Sequence, residues 1–196
     1  MQRILFVQSV FNKSICYVQG MHEIAGVFFY VFMREAPEER REQEEAAAFF
    51  CFTALITRFR DWFDQACDAK ANGMPLAIEH VKAVLARVNR PLAEHIAQVD
   101  ADVVFYCVRC FGLLFVQEFP IDELFVLWDF LFAHFDDDVV TWTICVCVAL
   151  IVSQRQKIMH IKSPNCLRVL FDAKFNVAQV ISTAQKVYRK AKKLCE

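Results

Sequence analysis

The side chains able to do chemistry are few, and the most telling lie together in CYVQGMHEIAG, Cys16 to Gly26. A Gln between a Tyr-Val pair and a Gly, followed by Met, His and Glu, is too polar and too flexible for ordinary helix interior. A Gln amide both donates and accepts, so Gln19 presented on a turn at Gly20 could orient a water molecule or grip a partner's backbone. The competing reading is a cap, in which Gln19 and Gly20 end a helix begun at Arg3. Spacing alone favours the cap, since glycine is common at a helix end.

Other candidates are weaker. Cys107-x-x-Cys110 and Cys145-x-Cys147 could supply four thiolates to zinc, but both pairs sit in apolar runs without a flanking glycine turn, and the second is too closely spaced to chelate from a helix. Small buried hydrophobes are the simpler expectation, and no metal site is expected. The five histidines (His22, His80, His95, His134, His160) are dispersed. With four glycines in 196 residues, neither a Walker loop nor a dinucleotide fingerprint can be written, so the chain is expected to bind no nucleotide cofactor of its own.

The elements that must hold these residues read as helices. Hydrophobic residues make up 57% of the chain while Gly (4) and Pro (5) are scarce, which argues against disorder and against an all-β fold. RILFVQSVF starts a helix almost at once, as though the chain opens part-way through one. MREAPEERREQEE (Met33 to Glu45) is a charged connection, its carboxylates a solvated helix face, leading into one long amphipathic helix with Phe49, Phe52, Ile56, Phe59 and Phe63 inward. Asp68 to Pro75 reads as a loop, followed by a helix with Ile78, Val81, Leu85 and Val88 inward, and by a short one from Pro91 through Val99. Asp100 to Phe119 is apolar nearly all round and reads as a central buried helix interrupted only by Arg109. Pro120 and Asp122 start the next helix, with Leu124, Leu127, Trp128 and Leu131 on one stripe. Ser163-Pro164 and Asn176 read as start signals for the last two helices.

Length predicts one domain over 1–196, with two subdomains at most. A net charge of −1 recruits no nucleic acid, and the one basic cluster, Lys186 to Lys193, reads as a solvated last helix turn more simply than as a membrane contact. Nine scattered cysteines and no signal-peptide pattern fit a cytoplasmic chain with reduced thiols. Val139 to Gln154 falls short of the roughly 20 residues that span a bilayer, so a buried helix, not a transmembrane segment, is expected there.

At Tyr17, Gln19, Gly20, Met21, Glu23 and Ile24 the chain resembles the TBC domain, the module of Rab GTPase-activating proteins, through its Y-x-Q-G-M signature. FYCVRCFGLLFVQEFPIDELFVLWDFLFA is similar to the family's arginine-tryptophan segment running into its E-F…W-D block, here Glu118, Phe119, Trp128 and Asp129. The resemblance implies an all-α, multi-helix fold of two subdomains, truncated here at its N-terminus. It also implies a Rab-type GTPase as partner, carrying its own GTP and magnesium, and a role in vesicle trafficking, with peripheral attachment to endomembranes through the Rab. Two fingers act in trans in this family: an arginine that offsets charge on the transferring phosphoryl group and a glutamine that positions the attacking water.

By that likeness Gln19 is the glutamine, Tyr17 shapes its turn, and Gly20, Met21, His22 and Glu23 contact the GTPase. His22 replaces the family's usual Asn, and Cys110 its Trp. The arginine motif I-x-x-D-x-x-R is absent, since Arg3 is the one arginine ahead of Tyr17 and stands in another context. The expected function is therefore GTPase activation, a regulator and not a hydrolase in its own right. The alternative is a non-catalytic Rab-binding scaffold on a degenerate TBC fold. A missing N-terminal portion would leave the helix of Ile4, Leu5 and Val7 with uncovered apolar surface.

Overall fold

In the computed structural model the described residues are 1–13, 15, 17–64, 73–136 and 138–192, and among them there is no strand. The chain divides into two compact units, Met1–Pro75 with Gly112–Leu114, and Leu76–Phe111 with Phe115–Glu196.

In the first unit α1 (Gln2–Phe11) buries Ile4 and Gln8, and Gln8 Oε1 accepts a hydrogen bond from Thr53 at 2.7 Å. This helix does carry exposed apolar surface, at Phe6 (69%) and Phe11 (78%), although Ile4 itself is only 2% exposed. The helix turns Ile4 and Gln8, four apart, inward together, which directs Phe6 outward, while Phe11, on the same side as Ile4, is exposed as the last residue of the helix. The second helix, α2 (Met21–Met33), buries Met21, Ile24, Ala25 and Val27 and packs mainly on α3 (Arg41–Arg58).

The charged connection is shorter than expected, because after a 3₁₀ turn at Glu38–Arg40 the sequence REQEE already forms the start of α3. Nor is that whole face solvated. Arg3 of α1 binds the Glu45 carboxylate, and this bond holds its carboxyl below the usual glutamate range. The long helix expected through Phe63 breaks at Phe59 (φ −102°, ψ 20°) into α4 (Arg60–Phe63). The break leaves Phe59, Trp62 and Phe63 all buried, with the Phe59 and Trp62 rings 4.8 Å apart.

In the second unit α5 (Met74–Val88) carries Pro75 in its first turn and buries Ala77, Ile78, Val81 and Leu85. Of the preceding loop, residues 68–72 lie outside the described residues. Asn89 caps α6 (Arg90–Gln98), its Oδ1 accepting from Leu92 N at 3.3 Å.

The all-round buried helix expected over Asp100–Phe119 is not found. Only Val104–Gly112 is helical (α7), and Phe105 is 76% exposed. The chain then turns through Leu114 and Phe115, at φ 45° and 67°, while Phe115 N bonds back to Cys110 O at 3.1 Å. The turn lets Leu113, Leu114 and Phe115 all be buried in succession, which no single helix face allows. Left-handed conformations at bulky residues cost about 1–3 kcal/mol each, offset here by that burial.

The helix buried on nearly every side is α9 (Val139–Ser153), which packs chiefly on α11 (Val177–Lys192) and also on α8 (Ile121–Phe132). The α8 stripe is as expected, with Leu124, Leu127, Trp128 and Leu131 buried. Short α10 (Arg155–His160) leads to a 3₁₀ helix (Pro164–Leu170) capped by Ser163, and Asn176 caps α11 by accepting from Gln179 N at 3.0 Å. Cys107, Cys110, Cys145 and Cys147 are buried thiols, and burial pushes Cys145 up to about 12. Among the described residues no helix is long and apolar enough to cross a membrane.

Candidate functional site

The candidate site is the turn between α1 and α2. Helix α1 already stops at Asn12, whose N–H still reaches Gln8 O at 2.9 Å, so Gln19 and Gly20 do not end it. The cap reading is corrected: Gly20 is the N-cap of α2, at φ 107° and ψ −23°. Residues with a Cβ rarely adopt such a φ. A Cβ at this position would also overlap Leu113 Cδ2, since the Leu113 side chain lies against the glycine.

Backbone bonds fix the turn on both sides. Met21 N donates to Val18 O at 3.1 Å and Glu23 N to Gly20 O at 2.8 Å, while Met21 Sδ lies 3.5 Å from Val18 N. Met21, 2% exposed, anchors the turn in the core together with buried Ile24 and Ala25. Above this anchor Gln19 is exposed, and its amide has no hydrogen-bond partner among the described residues. Tyr17, 52% exposed, brackets the turn through a 2.9 Å hydrogen bond between its hydroxyl and His22 Nδ1. Glu23, in the first turn of α2, complements the positive end of the helix dipole.

All six residues singled out from the sequence therefore meet in one turn, with divided duties. Gly20 and Met21 hold it from within. Tyr17, Gln19, His22 and Glu23 stand at or near the surface. Chemically, the arrangement offers a pre-placed amide on a rigid base, able to accept from a water proton while donating to an anionic oxygen. Sequence reasoning missed Leu113, because nothing local to LLF signals a contact with a glycine so far up the chain. It also missed that Arg3 is already engaged with Glu45.

A second polar cluster lies in the other unit. Arg109 Nε is 2.8 Å from Glu118 Oε1, in an ion pair whose carboxylate side chain is 1% exposed. The N–H is not aligned on that oxygen, so charge more than hydrogen bonding holds the pair. Tyr106 donates to Glu118 Oε2 at 3.2 Å, and the Arg109 guanidinium sits 5.0 Å from the Phe171 ring centre. Burial pushes the Glu118 carboxyl above its ordinary range, against the opposing pull of Arg109 and Tyr106. Glu118 and Tyr106 are buried while Arg109 remains partly exposed over Phe171, an arrangement suited to holding structure.

Residues 1–159 match the sequence profile of the Rab-GTPase-TBC domain. Human TBC1 domain family member 13 is 32% identical over 187 residues, 95% of this chain and 46% of that protein. The GTPase-activating protein GYP7 of Candida glabrata is 26% identical over 132 residues, 67% of this chain and 16% of that protein. The chain thus spans less than half the length of these curated relatives. The crystal structure of the Ypt/Rab-GAP domain of Gyp1p superposes with a TM-score of 0.83 at 17% identity, covering 98% of this chain and 65% of that one, a likeness of fold. By the match over 1–159, this all-helical chain belongs to the Rab-GTPase-TBC domain family.

Proposed function

We propose that the chain is the part of a Rab GTPase-activating protein that carries the glutamine finger, with Gln19 as that finger. The carrying observation is the exposed Gln19 amide, without a partner among the described residues, on a turn whose base is buried at Gly20 and Met21. A finger works by being in place before the reaction, since orientation secured in advance is not charged against the transition state. In this reading the Gln19 carbonyl accepts a proton of the attacking water and aims its lone pair at the γ-phosphorus. Tyr17 and His22 keep the turn from splaying, and Glu23 and His22 line the contact with the GTPase. GTP and magnesium belong to the partner. The place of action is the cytosolic surface of endomembranes, reached through the Rab.

Arg3 does not serve as the arginine finger in this reading, because it is bound to Glu45. That engagement favours a second reading, in which residues 1–196 hold a GTP-loaded Rab without firing it. Single-turnover GTP hydrolysis by a panel of Rab GTPases, with the native full-length protein carrying this chain, separates the two. Under the first, Gln19→Ala lowers stimulated hydrolysis by about 10²- to 10³-fold while GTP-dependent binding persists. Unchanged stimulation removes Gln19 from the mechanism, and binding with no stimulation in the unaltered protein selects the scaffold.

A further inference from the structure

We infer that Leu113 is a positioning residue for Gln19, acting through Gly20; the inference rests on the reading of Gln19 given above. Three observations meet at this point. Gly20 holds a left-handed conformation that few residues adopt, and this conformation turns the chain from the exposed Gln19 into the buried start of α2. The Leu113 side chain occupies the space beside Gly20 that any Cβ would need, and is itself buried. The segment Gly112–Leu114 belongs with the first unit by its packing, and Leu114 takes a left-handed φ of 45°, a conformation unfavourable for leucine.

A glycine has more conformational freedom than any other residue, so a turn hinged on one keeps a fixed direction only if something else restricts it. Leu113 adds that restriction at Gly20 itself, beside the backbone bonds of Met21 and Glu23 that close the turn. With its δ-methyl against the glycine, the Val18–Met21 turn has one packed arrangement, and Gln19 points one way. Without it the backbone at 19–20 gains alternatives at little cost. Misplacement of a catalytic group by about 1 Å can cost about 10²-fold in rate.

The test compares Leu113→Ala, Leu113→Met and Gln19→Ala, and the Leu113→Ala/Gln19→Ala pair, in the native full-length protein carrying this chain. Two readouts are taken, amide hydrogen exchange at Met21 and Glu23 and single-turnover hydrolysis by a responsive GTP-loaded Rab. The expected result is about tenfold or more faster exchange at those two amides in Leu113→Ala, with α3 unchanged. Hydrolysis should fall about 10- to 100-fold in kcat at constant KM, be restored in Leu113→Met, and change less than about twofold when Leu113→Ala is added to Gln19→Ala. Where alanine loosens the whole unit, Leu113→Val replaces it as the milder truncation. Unaltered exchange at Met21 and Glu23 overturns the inference, as does a Leu113→Ala loss that persists in full on the Gln19→Ala background. If Gln19→Ala itself leaves hydrolysis unchanged, the reading of Gln19 fails, and the two amides still decide whether Leu113 fixes the turn.

Discussion

Position 20 joins two constraints that no side chain satisfies together, a φ of 107° and the Leu113 δ-methyl where a Cβ would stand. Gly20→Ala is therefore expected to destabilise the protein by about 2–4 kcal/mol, combining backbone strain with overpacking. Leu113→Ala in the same variant should recover the packing share and not the strain, which urea unfolding of the four proteins would resolve as a coupling energy. Full additivity would show that Leu113 moves aside freely. In the sequence, YVQGM was legible as a polar turn offering Gln19, but the direction of that turn was not. Left-handed glycine serves at the end of one helix or the start of another, and only the burial of Met21, Ile24 and Ala25 as the first turns of α2 decides between them.

The elements show where periodicity carries information and where it stops. The stripe on α8 and the caps at Ser163 and Asn176 were readable, because three- and four-residue spacing and side-chain capping are local. The apolar run from Asp100 to Phe119 was not, because a buried turn and a buried helix ask for the same composition. Its end is tied by the Arg109–Glu118–Tyr106 cluster, which gives an element-level test. Arg109→Ala leaves a buried carboxylate without its countercharge and is expected to cost about 3–5 kcal/mol at neutral pH. With Arg109 gone, burial raises the Glu118 carboxyl further. A carboxyl raised on folding adds stability below its unfolded value of about 4.3 and withdraws it as pH rises through the folded one. The deficit of the variant should therefore be larger at pH 8 than at pH 5 in denaturant melts. Equal deficits would assign Arg109's contribution to its packing on Phe171.

At the scale of the whole chain, the proposed function turns on which fingers residues 1–196 can offer. Gln19 is presented and Arg3 is bound to Glu45. Since an arginine finger is worth about 10³- to 10⁵-fold, residues 1–196 alone are expected to bind a GTP-loaded Rab and raise its hydrolysis by less than about tenfold, measured by phosphate release. A larger acceleration would show that another arginine of this chain reaches the nucleotide. The sequence by itself determined that the chain is helical and that α9 is buried, because composition, periodicity and capping act between residues a few positions apart. The tertiary structure alone decided that Gly20 opens α2, that the run after α7 bends into a buried turn, that Leu113 closes on Gly20 and that Arg3 is held by Glu45. Each of these depends on a contact between residues distant in sequence, whose partner no local pattern names.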